Sequence, residues 1–198
     1  MDLDEVIKNR GSVRKYDPKP VQLDKIAALL EAARTAPNSG NLQDFRFIIV
    51  NDKKIKNSIA EASLRQFWMN SAPLFIVICS DIGRLETFYK DRAKEYSLQN
   101  SAAAATLISL KAIDLGLSTC WVNVFDQNVV ARFLGIRTNV KPQIILTVGY
   151  KDEKPKKKLS RIPLNRITFF NKYDTHIISL KEWAKEKYLD KVKKLFSK

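Results

Sequence analysis

The chain has 198 residues, 45% hydrophobic and 28% charged, and its 35 Lys and Arg against 21 Asp and Glu give a formal net charge of +14. This composition suits one globular domain over residues 1–198 and is too apolar for a disordered chain. The apolar runs Phe45–Val50, Pro73–Cys79 and Ile144–Val148 fall far short of the roughly 20 residues a membrane helix needs.

Along the chain, Leu3–Asn9 has the spacing of a short helix, closed by Gly11. The run Arg10–Tyr16 follows, and Pro18 and Pro20 then bar helix. Leu23, Ile26, Leu29, Leu30 and Ala33 mark a helix over Gln22–Ala36, stopped by Pro37. Asn38–Gln43 is a polar loop in which Gly40 permits positive φ or a close backbone approach. It opens directly into Phe45–Val50, a strand apolar enough to be expected buried on both faces.

Asp52 is placed to cap a helix running to about Ser63. Leu64–Ser71 has no clear period. Leu74–Cys79 reads as a second buried strand, and Gly83–Tyr96 as a partly helical, charged and aromatic excursion. Leu98–Leu115 is an Ala-rich helix ended by Gly116, thin enough for neighbours to approach closely. Ser118–Phe125 is a third strand, Gln127–Leu134 a helix closed by Gly135, and Gln143–Tyr150 a fourth strand. Lys151–Lys158 is a basic loop, Ile167–Tyr173 can be extended, and Leu180–Phe196 has the pattern of an amphipathic helix. Helices and strands alternate without a strict βαβ rhythm, which favours an α+β fold.

Composition also narrows the chemistry. Cys79 and Cys120 lie inside apolar runs and read as buried thiols. One histidine, His176, and no Cys-x-x-Cys leave no zinc site of ordinary spacing. The six isolated glycines build neither a G-x-G-x-x-G turn nor a P-loop. The acidic start Met-Asp-Leu-Asp-Glu is unlike a secretion signal, so the expected address is cytoplasmic, with no membrane partner. The positive surplus concentrates after Tyr150, which keeps nucleic acid open as a weaker reading beside a plain solvated lysine face.

Three polar stretches remain. In Arg10-x-Ser12-x-Arg14-x-Tyr16, alternate side chains of an extended backbone share one face, and two guanidiniums with a hydroxyl can grip an anion. Taken alone, the run reads more readily as an exposed basic turn between two helices. The others are Ala36-Pro37-Asn38-Ser39-Gly40-Asn41-Leu42-Gln43 and Leu115–Asn123, with Arg161-Ile162-Pro163-Leu164 near the end.

In order and spacing these stretches resemble the nitroreductase family of FMN-dependent oxidoreductases. The resemblance implies an α+β sandwich with a central, mostly antiparallel sheet, and a homodimer with two FMN sites at its interface. In such a dimer the Ile167–Tyr173 segment would cross to the partner. Arg10, Gly11 and Ser12, with Arg161, would hold the phosphate end of FMN, and Arg14 the pyrimidine edge of its ring. Pro37, Asn38, Ser39 and Asn41 would come from the partner subunit. Gln66 would touch the ring edge or ribityl chain, and the backbone at Val122, Asn123 and Val124 would face flavin N5. Asn38 departs from the family's usual serine, and Asn123 from its glycine or acid.

The implied activity is hydride transfer from NADPH or NADH, through FMN, to a small-molecule electron acceptor such as a quinone or nitroaromatic, by ping-pong kinetics. The alternative is a specialised flavoenzyme on the same scaffold, of dehalogenating, flavin-cleaving or dehydrogenating type. No catalytic side chain or metal is implied, because the flavin carries the hydride and Arg14 supports it electrostatically.

Overall fold

A computed structural model describes residues 1–152, 160–169 and 171–173. The chain divides into two compact units, Met1–Lys154 and Pro155–Lys198. In the first unit the elements run α1 (Leu3–Asn9), α2 (Leu23–Arg34), β1 (Phe45–Val50), α3 (Lys53–Ala62), β2 (Leu74–Asp81), α4 (Ile82–Tyr89), α5 (Ala93–Asp114), β3 (Ser118–Val122), α6 (Gln127–Phe133) and β4 (Val140–Gly149). The strands form one sheet, ordered β1-β2-β4-β3 and antiparallel at each pairing.

β2 and β4 occupy the middle of the sheet, and their apolar runs serve both faces by the two-residue alternation of strands. Ile76, Ile78, Leu146 and Val148 pack with Leu29 and Ala33 of α2 and with Ala104, Ala105, Ile108 and Ala112 of α5. Phe75, Val77 and Ile145 face the other way, against Ile59 and Ala60 of α3 and Val130 of α6. The alanine run of α5 therefore lies on the sheet and on α2, where small side chains allow close approach. Helix starts follow local chemistry: Asp52 accepts the Ile55 N–H at 2.9 Å, and Asp126 accepts those of Asn128 and Val129 at 2.9 and 3.0 Å. Each bond satisfies an amide that a helix start leaves open.

Several expectations change. β1 is not buried on both faces: Arg46 and Ile49 are exposed, and among the described residues it is an edge strand. An apolar run records burial without saying whether another strand pairs beyond it. The Gly83–Tyr96 region is mostly helical, divided between α4, a 3₁₀ turn at Lys90–Arg92 and the start of α5. β3 stops at Val122, short of Phe125. β4 begins at Val140, upstream of Pro142, because the β2–β4 register shifts between Ile78 and Cys79, opposite that proline; such an irregularity is where a strand tolerates proline. Cys79 and Cys120 are both buried, as read.

In the second unit a 3₁₀ turn spans Leu164–Arg166, and the rings of Phe169 and Tyr173 lie 4.5 Å apart. The amphipathic helix over 180–196, His176 and most of the basic loop lie outside the described residues. No helix among the described residues is long and apolar enough to cross a membrane.

Candidate functional site

The run Arg10–Tyr16 leaves α1 in extended form, and the sheet fixes it at both ends. Val13 N–H donates to Thr119 O of β3 at 3.1 Å, with Ser12 bridged to Thr119 in parallel. Farther on, Asp17 N–H donates to Tyr150 O at 2.8 Å and Asp152 N–H to Lys15 O at 3.0 Å. Tyr16 turns inward and is buried. Its hydroxyl lies 2.7 Å from Thr147 Oγ1, and its ring lies against Gly149. With Val13 and Tyr16 taken by the protein, Arg10, Ser12 and Arg14 all remain exposed. Gly11 and Lys15 are exposed as well, so the exposure of the run does not alternate strictly.

Arg14 is placed beside the segment that follows α3. Its guanidinium lies 5.6 Å from the ring centroid of Trp68, a cation–π distance. The Trp68 indole N–H donates to Gln66 Oε1 at 3.3 Å. Gln66 therefore stands in the same cluster as Arg14, joined to it through Trp68. Leu64 and Arg65, just before, both have positive φ, 54° and 56°. At the end of β3, the Trp121 indole N–H donates to Asn123 Oδ1, and Asn123 and Val124 are exposed. Gly11 is exposed, and a Cβ there would meet nothing within 4 Å.

The second stretch, Asn38–Gln43, is a strained loop. Gly40, Asn41 and Gln43 all have positive φ, 58°, 52° and 50°, and for the two non-glycines this costs roughly 1–2 kcal/mol each. Both freedoms expected of Gly40 are in use, since a Cβ there would lie 2.5 Å from the Tyr89 hydroxyl. Side chains hold the strain in place. Asn38 Oδ1 accepts the Gln43 N–H at 2.8 Å, and Asn100 Oδ1 accepts both the N–H and the hydroxyl of Ser39, at 3.0 and 3.2 Å. Asn100 Nδ2 in turn donates to Asp44 Oδ1 at 2.7 Å, while the Ser80 hydroxyl donates to Asp44 Oδ2. Asp44, Ser80 and Asn100 are all buried.

Asn100 and Asp44 were absent from the sequence reading. Asn100 lies four residues before Ala104 and eight before Ile108 on the buried side of α5, so helical periodicity alone could have flagged a polar group facing inward. Asp44 was concealed by its place among turn-forming residues.

The two stretches do not meet within one chain. Thr119, beside Ser12, pairs with Val148 and through it with Leu74, whereas the Asn38–Gln43 loop enters β1 at Phe45, opposite Ser80. Three strand spacings across the sheet and six residues along it separate these corners by roughly 25 Å. Arg161 belongs to the second unit, where it is exposed and its Nη1 donates to Ser160 O at 3.5 Å.

Charge and exposure suit these groups to a ligand with an anionic end and a flat ring. Arg10, Ser12 and Arg14 are exposed donors, and the Trp68 ring lies beside Arg14. No group of His, Cys, Asp and Glu among the described residues could hold a metal ion.

The chain is similar to known proteins over most of its length. A model of the nitroreductase family matches residues 7–68 and 61–150. An Archaeoglobus fulgidus protein assigned as an NADH dehydrogenase/NAD(P)H nitroreductase is 30% identical over 155 residues, 76% of this chain and 86% of that protein. The crystal structure of a nitroreductase family protein from Clostridium difficile 630 superposes with a TM-score of 0.78 at 28% identity, over 87% of this chain and 99% of that one. An FMN-dependent nitroreductase from Clostridium difficile R20291 gives 0.73 at 27%, over 85% and 98%. The antiparallel sheet with helices on both faces is thus a shared scaffold, and the chain belongs to the nitroreductase family of oxidoreductases.

Proposed function

We propose that this protein is an FMN-dependent NAD(P)H oxidoreductase that works as a homodimer, reducing small acceptors such as quinones or nitroaromatics. The observation that carries the reading is the exposed face of Arg10, Ser12 and Arg14, held extended against β3 and bounded by Trp68. That donor set fits FMN in its chemistry: guanidinium and hydroxyl for a phosphate dianion, and a fixed cation and an indole for a ring. FMN is named by the Clostridium difficile relative and NAD(P)H by the Archaeoglobus fulgidus one.

Arg10, Gly11, Ser12 and Arg161 would hold the phosphate end, where each charge-assisted hydrogen bond contributes roughly 1.5–3 kcal/mol. Arg14 would sit at the pyrimidine edge, its position steadied by Trp68. There it would favour the negative charge that collects on the ring at reduction, because a preorganised cation needs no rearrangement when that charge appears. Bound there, FMN would supply the redox chemistry, accepting a hydride at N5 and releasing it to the acceptor. The backbone at Val122, Asn123 and Val124 would line the N5 side, and Gln66 the ring edge or ribityl chain.

Pro37, Asn38, Ser39 and Asn41 would reach the flavin from the partner subunit. A separation of about 25 Å within one chain is too great for one flavin to touch both stretches, and a two-fold partner can bring the second stretch to the first. Carriage of Ile167–Tyr173 to the partner belongs to the same dimer. One shared site for reductant and acceptor gives ping-pong kinetics, visible as parallel lines in double-reciprocal plots.

Purified protein should be yellow, release FMN on denaturation and sediment as a dimer. A colourless monomer that cannot be reconstituted with FMN would overturn the proposal.

A further inference from the structure

The network beneath Ser39 has a direction. The Ser39 backbone N–H can only donate, so the Asn100 side chain must turn its oxygen toward Ser39. An Asp44 carboxylate can only accept, so the same amide must turn its nitrogen toward Asp44. One orientation of Asn100 satisfies both requirements. Asn100 Oδ1 cannot donate, so the Ser39 hydroxyl, 3.2 Å away, must spend its proton on it. What Ser39 Oγ has left to offer is lone pairs. Asn100 is buried and its donors and acceptor are matched on both sides, so turning the amide over would leave unpaired groups in the interior, at roughly 1–3 kcal/mol each.

We infer that Asn100 is a positioning residue that sets Ser39 Oγ as a hydrogen-bond acceptor toward the cofactor. The inference rests on the flavin reading of the site and adds to it the part of the flavin that Ser39 meets. A phosphate oxygen at neutral pH is itself an acceptor and makes no bond to such a hydroxyl, so Ser39 faces a donor-bearing, uncharged part. Two parts of FMN qualify: the imide N3–H of the ring and the ribityl hydroxyls. Ser12 carries no such restriction in the bonds that fix it, which are backbone bonds to β3. The two serines would then divide the cofactor, Ser12 to the phosphate and Ser39 to a neutral donor. The strain at Asn41 and Gln43 makes the anchor necessary, since a loop in those conformations holds its place only when its surroundings over-determine it.

The test is titration of apoprotein with FMN, 3-methyl-FMN and 2′-deoxy-FMN, followed by flavin fluorescence. It uses wild type, Ser39→Ala and the double variant Asp44→Asn/Asn100→Asp, which exchanges acid and amide while keeping every donor facing an acceptor. Wild type should bind one analogue roughly 3- to 10-fold more weakly than FMN, the loss of one hydrogen bond. Loss with 3-methyl-FMN identifies the ring imide, and loss with 2′-deoxy-FMN the ribityl chain. Ser39→Ala should not discriminate that analogue, and the double variant should discriminate as wild type does. Ser39→Ala sits on a half-buried loop side chain and leaves the Asn100–Asp44 bond intact, so its result does not depend on the buried double variant folding.

Equal wild-type affinity for all three ligands, or unchanged discrimination in Ser39→Ala, overturns the inference and leaves the flavin reading standing. Failure of wild type to bind FMN at all overturns both.

Discussion

Gly149→Ala tests how closely the arginine run is tied to the sheet. Gly149 ends β4, and a Cβ built there would lie 2.6 Å from Pro73 Cδ, 3.0 Å from Pro73 Cγ and 3.0 Å from Tyr16 Cδ1. Proline has no rotamer that could move its ring aside, and Tyr16 is held by its hydroxyl 2.7 Å from Thr147 Oγ1. Relief must therefore come from backbone shifts at the start of β2 or in the Arg10–Tyr16 run. Overpacking of this kind costs roughly 1–3 kcal/mol. In a chain of this size that lowers Tm by about 2–4 °C per kcal/mol, or about 2–12 °C. If the run gives way, Arg10, Ser12 and Arg14 move with Tyr16, and FMN affinity falls as well. Circular dichroism melting of the apoprotein and FMN titration of the same samples separate the two effects. Gly116→Ala is the control: its φ of 73° adds strain, but a Cβ there meets nothing within 4 Å, so Tm should fall without a change in FMN affinity. A Gly149→Ala variant with unchanged Tm and FMN affinity would refute the reasoning.

Arg14→Ala should make the flavin midpoint potential more negative by roughly 30–60 mV, the equivalent of one charged hydrogen bond in a two-electron couple; a potentiometric titration showing no change or a rise would remove Arg14 from the pyrimidine edge. Arg161→Ala should raise the Kd for FMN about 10- to 100-fold with little change in apoprotein Tm, and an equal Kd would count against its phosphate role. Burial pushes the Cys79 thiol up to about 12 from an ordinary value of 9.0. Above pH 9 the unfolded chain releases this proton and the folded chain keeps it, so stability declines as pH rises from about 9 toward 12, with a limiting slope on the order of 1 kcal/mol per pH unit. In urea titrations Cys79→Ala should show a shallower alkaline loss than wild type, and identical slopes would contradict the assignment.

How legible each feature was depends on how local its cause is. α3 and α6 were readable because Asp52 and Asp126 bond amides only two or three residues away. Leu74–Cys79 was readable because burial on both faces removes polar residues from the whole run. β1 looked the same in sequence, yet it lies at the edge, since nothing in Phe45–Val50 encodes how many strands lie beyond it. Pro142 displaced the expected start of β4 because a proline suits a strand only where the register breaks, and that break depends on the partner Cys79. The family was legible from spacing, which survives without coordinates.

The Arg10–Tyr16 run shows where sequence and tertiary structure divide the work. Sequence by itself determined the donors, Arg10, Ser12 and Arg14, and their two-residue repeat, because an extended backbone places alternate side chains on one face. It also marked Gly40 as a position that permits positive φ or a close approach. Tertiary structure alone decided that Tyr16 turns inward to Thr147 while Arg14 meets Trp68. It alone decided that Ser39 is anchored by Asn100, 61 residues away, and that the two polar stretches lie at opposite corners of one sheet. These are long-range contacts, set by strand order and helix packing, and no local pattern contains them.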